Sequence, residues 1–174
     1  MERIVAKFGG SSVADGAQIT KVKANIEADP RRRIVVVSAP GRRQAGEAKL
    51  TDLLYLCHEM AAMSTAIDKP FALIRGRFAA IVGELALSDT VLGELDRFAM
   101  ELQAGVTRDF VASRGEYFCA KLVAEYLGGE FIGPAEAIII RANGTIDQES
   151  YPTLALKMHD KDRLYVMAGI PLAI

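Results

Sequence analysis

The sequence predicts an α/β fold in which a mainly parallel sheet is joined by helical crossovers. Three observations carry that reading. Strand-like and helix-like segments alternate from the amino terminus. The run Arg33–Ser38 (RIVVVS) is almost all β-branched, as in a central strand covered on both faces. The first strand runs through a Gly-Gly turn directly into a helix, the start of a crossover between parallel strands. With 174 residues, 51% of them hydrophobic, the chain can bury one sizeable core and fits one domain or one lobe of a larger one.

In chain order, Ile4–Phe8 reads as a strand and Ala14–Glu27 as a helix, with Ser11 or Ser12 as its cap in the plainest reading. Arg31–Arg33 is a solvated turn before the central strand. Ala39–Lys49 (APGRRQAGEAK) reads as a mobile loop at that strand's carboxyl end, the edge where open α/β sheets bind ligands. The next helix starts at Thr51, its cap, and carries Leu53, Leu54, Leu56, Cys57, Met60 and Met63 as a core stripe. Pro70 opens a further helix whose apolar side is Phe71, Ile74, Phe78, Ile81, Val82 and Leu85. Ser88 or Asp89 caps a helix over Val91–Gln103, so the middle of the chain is a helical excursion between strands. A helix over Phe110–Gly128 has a possible break at Ser113–Gly115 and ends at Gly128-Gly129. Glu130–Ile132 and Ala137–Arg141 are short strand candidates, the second leading into an Asn-Gly turn. Leu164–Ile174 is apolar to its last residue and reads as a buried strand cut by the chain end.

Composition excludes several classes. A net charge of −1 with interspersed signs and no tryptophan gives no nucleic-acid surface. No apolar run reaches the roughly 18 residues of a membrane span, and Glu2, Arg3 and Lys7 interrupt any signal-peptide core, so the expected address is cytoplasmic, without a membrane partner. Cys57 and Cys119 make no C-x-x-C and no metal-ligand spacing with His58 or His159; both read as reduced core residues, and no metal ligand is assigned.

The chemistry concentrates at Ile4–Gly16, IVAKFGGSSVADG. Glycines allow a tight turn and bare N–H groups, a helix start adds donors and a positive dipole end, and Lys7 adds a full charge. The set suits a phosphate, yet matches neither G-x-x-x-x-G-K-[ST] nor G-x-G-x-x-G. The residues alone leave two readings open, an anion cradle and a tight strand-to-helix connection with a solvated lysine.

Four blocks in order resemble the aspartokinase family of amino-acid kinases: KFGGSSV at Lys7–Val13, VVVSAPG at Val35–Gly41, KLTDLLYLC at Lys49–Cys57, and SRGEYFCAKLVAEYL at Ser113–Leu127. The resemblance implies a three-layer α/β/α sandwich of the carbamate-kinase-like type. It makes residues 1–174 the amino-terminal, amino-acid-binding lobe, ending before the nucleotide-binding lobe. The family's G-R-G-G-S-D and T-D-x-D-[GP] blocks are absent from these residues. By the same resemblance, Lys7 is catalytic and bridges the transferring phosphoryl group, Gly9, Gly10 and Ser11 cradle it, and Ser38, Thr51 and Glu116 hold L-aspartate, with Glu116 pairing its α-ammonium. The cofactors implied are ATP and Mg2+, bound mainly through the absent half.

The activity this implies is ATP-dependent phosphorylation of the aspartate side-chain carboxylate, the entry to lysine, threonine and methionine synthesis. The alternatives are an acetylglutamate or glutamate 5-kinase type and a non-catalytic amino-acid-binding lobe. Residue by residue, Glu116 near a helix start and Thr51 at a cap also have purely structural explanations. The chain by itself is expected to be inactive and to self-associate as a homo-oligomer through its open strand edge.

Overall fold

The computed structural model describes residues 2–169. Strand β1 (Ile4–Phe8) leads through a 3-10 turn (Gly10–Val13) into α1 (Gly16–Glu27) and returns as β2 (Arg32–Val37). Four helices follow: α2 (Leu50–Ala62), α3 (Asp68–Leu85), α4 (Thr90–Ala104) and α5 (Arg108–Leu127). Then come β3 (Glu130–Ile132), α6 (Ser150–Lys157) and β4 (Tyr165–Ala168). The strands form one parallel sheet in the order β1-β2-β4-β3. β2 is therefore an interior strand, as its β-branched run predicts.

Parallel pairing obliges each connection to cross over the sheet. The main core fills the space between one sheet face, at Val35, Val37, Val166 and Ala168, and helices α1 to α5. Its centre is aromatic: Phe98 and Phe118 lie 5.8 Å apart, and Phe78 meets Phe118 edge-on at 6.0 Å. A smaller core on the other face joins Ile132, Tyr165 and Met167 to Met158 and Ala137, with Leu154 of α6 packed against it. Helices thus lie on both faces of the sheet, the layering of an α/β/α sandwich.

Several expectations need correction. β2 is fully covered on one face only; Ile34 and Val36 stay half-buried beside their exposed partners on β1, Val5 and Lys7. The cap of α1 is Asp15, whose carboxylate accepts from Gln18 N–H at 2.8 Å, because Ser11 and Ser12 are taken up in the 3-10 turn. Thr51 is inside α2 rather than at its cap; Lys49 occupies the cap position with no side-chain bond, since burial of Leu50 draws the helix start earlier.

Met63 and Leu56 face solvent: Leu56 points about 100° round the helix from the buried Cys57, and Met63 stands past the last helical residue. Asp89 stands at the start of α4 but caps it with no side-chain bond, and the Ser88 hydroxyl goes to Thr90. α5 runs unbroken through Ser113–Gly115, because Gly115 is a packing site and not a hinge. Ala137–Arg141 is no strand: one antiparallel bridge, Ile140 to Ile146, closes the Asn-Gly turn, with Gly144 in the left-handed region. Of the apolar carboxyl-terminal run, Tyr165–Ala168 is the buried β4, and the expectation for Leu172–Ile174 lies outside the described residues.

Both cysteines are free and buried, and burial pushes the Cys57 thiol up to about 11 and Cys119 higher still, so neither is poised as a nucleophile. Among the described residues, no helix is long and apolar enough to cross a membrane.

Candidate functional site

The carboxyl edge of the sheet gathers the residues that the sequence singles out. Lys7 is the penultimate residue of β1 and its side chain is exposed. Past Phe8 the chain enters the Gly9–Ser11 turn, where Ser12 N–H closes on the Gly9 carbonyl at 2.9 Å. One strand over, Ser38 N–H donates to the Phe8 carbonyl at 3.1 Å and Gly41 N–H to the Gly10 carbonyl at 2.9 Å, so the two post-strand loops are laced together.

The approach is close enough to require glycine. A Cβ on Gly10 would stand 2.9 Å from the Ala39 carbonyl oxygen, and one on Gly41 would stand 2.7 Å from the Gly10 carbonyl carbon. Gly9, by contrast, faces open space, leaving room for a ligand over the turn.

Helix α5 delivers Glu116 to the same edge. The preceding Gly115 allows the close approach, since its Cβ would meet the Ala39 Cβ at 3.0 Å and Leu50 at 3.2 Å. Glu116 thereby sits against the end of β4, where a Cβ on Gly169 would lie 3.0 Å from its Oε2. That oxygen is buried and has no hydrogen-bond partner among the described residues. Burial raises the Glu116 pKa; the Lys7 charge and a hydrogen bond from the Ala39 backbone N–H act in the opposite direction. Among the described residues, the buried Glu116 carboxyl thus keeps one oxygen unmet, with the Lys7 charge acting on it.

Thr51, half-buried at the start of α2, shares a cavity of about 390 Å³ with Ser11 and the 39–42 segment. The structure thus gathers Lys7, Gly9, Gly10, Ser11, Ser38, Thr51 and Glu116 at one sheet edge, with Glu116 and Thr51 reaching it from separate helices.

Sequence reasoning missed the residues that set these distances. Gly41, Gly115 and Gly169 matter through close backbone approach, and only the small-residue run SAPG and the glycine before Glu116 hinted at it. It also missed Arg77 of α3, which is 4% exposed, donates from Nη2 to the Ala48 carbonyl at 2.9 Å and forms an ion pair with Glu47 at 3.0 Å. Glu47 in turn accepts from the Arg43 side chain at 2.6 Å and its backbone N–H at 2.7 Å. Those Arg43 bonds, with Arg77 assisting, hold the Glu47 carboxyl down to about 2. The loop expected to be mobile is therefore tied to α3 just before α2 begins.

Known proteins with the same pattern bear on this edge. The model of the Amino acid kinase family matches residues 2–173. Aspartokinase 3 of Bacillus subtilis is 33% identical over 180 residues, covering 95% of this chain and 39% of that protein. The crystal structure of aspartate kinase from Clostridium acetobutylicum superposes with a TM-score of 0.91 at 36% identity, over 97% of this chain and 39% of that one. E. coli aspartokinase III, solved in complex with aspartate and ADP, shares the fold with a TM-score of 0.74 at 22% identity, over 97% of this chain and 40% of its own. The chain spans about 39% of the length of the first two relatives. With the parallel sheet, the glycine-laced edge and a family match over nearly every residue, the chain belongs to the amino acid kinase family.

Proposed function

We propose that the chain forms the amino-acid-binding lobe of an aspartate kinase, which transfers the γ-phosphoryl group of ATP to the side-chain carboxylate of L-aspartate. The observation that carries this is the buried Glu116 carboxyl, with one oxygen unpartnered among the described residues and under the influence of the Lys7 charge at the sheet edge. In this reading Glu116 pairs the α-ammonium of the substrate, and Ser38 and Thr51 offer hydroxyls to its carboxylates. Gly9, Gly10 and Ser11 receive the phosphoryl group, and Lys7 bridges it.

The bond formed is between a substrate carboxylate oxygen and the γ-phosphorus; the bond broken links that phosphorus to the ADP oxygen. The ionised carboxylate needs no proton removed, so the work of this edge is positioning and charge neutralisation. Mg2+ supplies charge neutralisation on the phosphates when bound. Among the described residues no group of three His, Cys, Asp or Glu side chains converges to hold a metal.

An unmatched carboxyl at Glu116 favours a substrate with a free ammonium over an N-acetylated one, which separates this proposal from an acetylglutamate kinase. The test is ADP release by the full-length protein with ATP, Mg2+ and L-aspartate, L-glutamate or N-acetyl-L-glutamate. Turnover specific to L-aspartate supports the reading, and turnover only with a glutamate derivative overturns it.

A further inference from the structure

Helix α3 supplies none of the residues gathered at the sheet edge, yet two of its side chains hold the segments that build it. Arg77 donates from Nη2 to the Ala48 carbonyl at 2.9 Å and pairs with Glu47 at 3.0 Å, just ahead of Thr51. Glu84 accepts at 2.6 Å from the N–H of Gly16, the first residue of the helix into which the Gly9–Ser11 turn leads. Arg77 and Glu84 stand seven positions apart, nearly two helical turns. Both therefore leave one face of α3, about 10 Å apart along its axis.

The two docking points are close and joined by charge. A Cβ on Gly16 would stand 2.6 Å from the Glu84 Cβ, so α1 meets α3 where glycine permits it. At the other point the 43–48 segment is closed on itself before it docks, since Glu47 takes the Arg43 backbone N–H at 2.7 Å and its guanidinium at 2.6 Å. The Arg43 pKa is raised first by that bond to Glu47 and, at longer range, by the charges of Glu84 and of Asp15, the cap of α1.

For stability alone, a guanidinium is a poor choice at position 77. It is buried, burial lowers its pKa, and its Nε and Nη1 have no hydrogen-bond partner among the described residues. An apolar side chain of similar length would fill the place without that penalty. What the guanidinium adds is a fixed position for Glu47 and Ala48, and hence for the start of α2.

We propose that Arg77 and Glu84 are positioning residues, and that α3 is the strut that sets the distance between the Gly9–Ser11 turn and Thr51. Neither lines the cavity at the sheet edge. Arg77 acts through Glu47 and Ala48 on the start of α2, and Glu84 acts through Gly16 on the entry to α1. The effect on catalysis rests on the aspartate kinase reading; the effect on position does not.

The test compares Arg77→Met, Glu84→Ala and Glu84→Gln in the full-length protein by two readouts: steady-state kinetics with ATP, Mg2+ and L-aspartate, and amide hydrogen exchange without ligand. In Arg77→Met the apolar length is kept and Glu47 retains Arg43, so the variant should fold with an unchanged or raised melting temperature. Its kcat/KM for aspartate should fall by about tenfold or more, because small misplacements of reacting groups slow a reaction steeply. Glu84→Ala should behave alike, and Glu84→Gln, whose amide oxygen still accepts from Gly16, should restore most of the rate. Exchange should speed up in the peptides carrying Ser12 and Gly41, whose N–H groups bond the Gly9 and Gly10 carbonyls, and stay as it was in buried α5.

A wild-type protein that does not phosphorylate aspartate would remove the aspartate kinase reading, while the exchange measurement still decides the strut. Unchanged exchange at Ser12 and Gly41 in both Arg77→Met and Glu84→Ala would overturn the proposal. So would protection lost evenly through α5 with a lowered melting temperature, or wild-type kinetics of both variants in an active protein.

Discussion

Gly41 N–H donates to the Gly10 carbonyl at 2.9 Å, and the contact is so close that a Cβ on Gly41 would lie 2.7 Å from the Gly10 carbonyl carbon and 2.9 Å from Ser11 N. The obstructing atoms are backbone, which cannot rotate aside. Gly41→Ala should therefore displace the Gly9–Ser11 turn. In the full-length protein this should lower kcat for phosphoryl transfer by about tenfold or more, with a smaller change in melting temperature, because geometry at the reacting centre is more sensitive than global packing. Gly9→Ala, facing open space, is the control and should keep far more activity. Equal effects of the two substitutions would remove the cradle argument.

Lys7→Ala in the full-length protein should lower kcat much more than it raises KM for aspartate. A charge aimed at phosphoryl oxygens acts chiefly in the transition state, and losing such a preorganised group commonly costs roughly 3 kcal/mol, about a hundredfold in rate. Steady-state kinetics check this, and a near-normal kcat would return Lys7 to a solvated strand end.

Glu47 links stability to pH in a definite direction. Its carboxyl is held at about 2, below its ordinary 4.5, first by the Arg43 side-chain hydrogen bonds. A depressed acid stabilises the fold above its unfolded value and loses that contribution as pH falls from about 4.5 towards 2. Glu47→Gln should flatten the fall in melting temperature across that window. It should also destabilise the protein at neutral pH by about 1–3 kcal/mol, since Arg77, with Nε and Nη1 already unpartnered among the described residues, loses its counter-charge. Thermal melts from pH 2 to 7 read both effects.

Glu116 has the opposite sign. Its pKa is raised by burial, so the fold favours the neutral carboxyl, and the associated stability is greatest below its unfolded value and is lost as pH rises through its folded one. In the ligand-free protein Glu116→Gln should thus raise the melting temperature at neutral pH, with the gain vanishing below about pH 4.5. A lowered melting temperature at neutral pH would mean that the charge is satisfied structurally.

Much of the architecture was legible because periodicity reports burial directly. The β-branched Arg33–Ser38 run, the apolar face from Phe71 to Val82 and the Gly128 helix end each carry their own local cause. Capping was less legible: Asp15, Ser11, Ser12 and Thr51 all have cap chemistry, and which one caps depends on the 3-10 turn and on burial of Leu50, both tertiary outcomes. Ala137–Arg141 had strand-like residues but only one bridge to pair with, since strand propensity is realised only with a partner.

The candidate site was legible by residue type at Lys7, Gly10, Ser11 and Glu116. The glycine contacts at Gly41 and Gly169 and the burial of Arg77 arise between segments distant in sequence, where no local pattern could register them.

The central claim is that Glu116 awaits the ammonium of an amino-acid substrate, and calorimetric titration of L-aspartate into the protein, repeated with Glu116→Gln, tests it most directly. Removing one member of a charge-assisted pair should weaken aspartate binding by about tenfold or more, while ATP affinity in the full-length protein stays unchanged. Equal aspartate affinity in the two proteins would contradict the account and leave Glu116 a structural residue of α5.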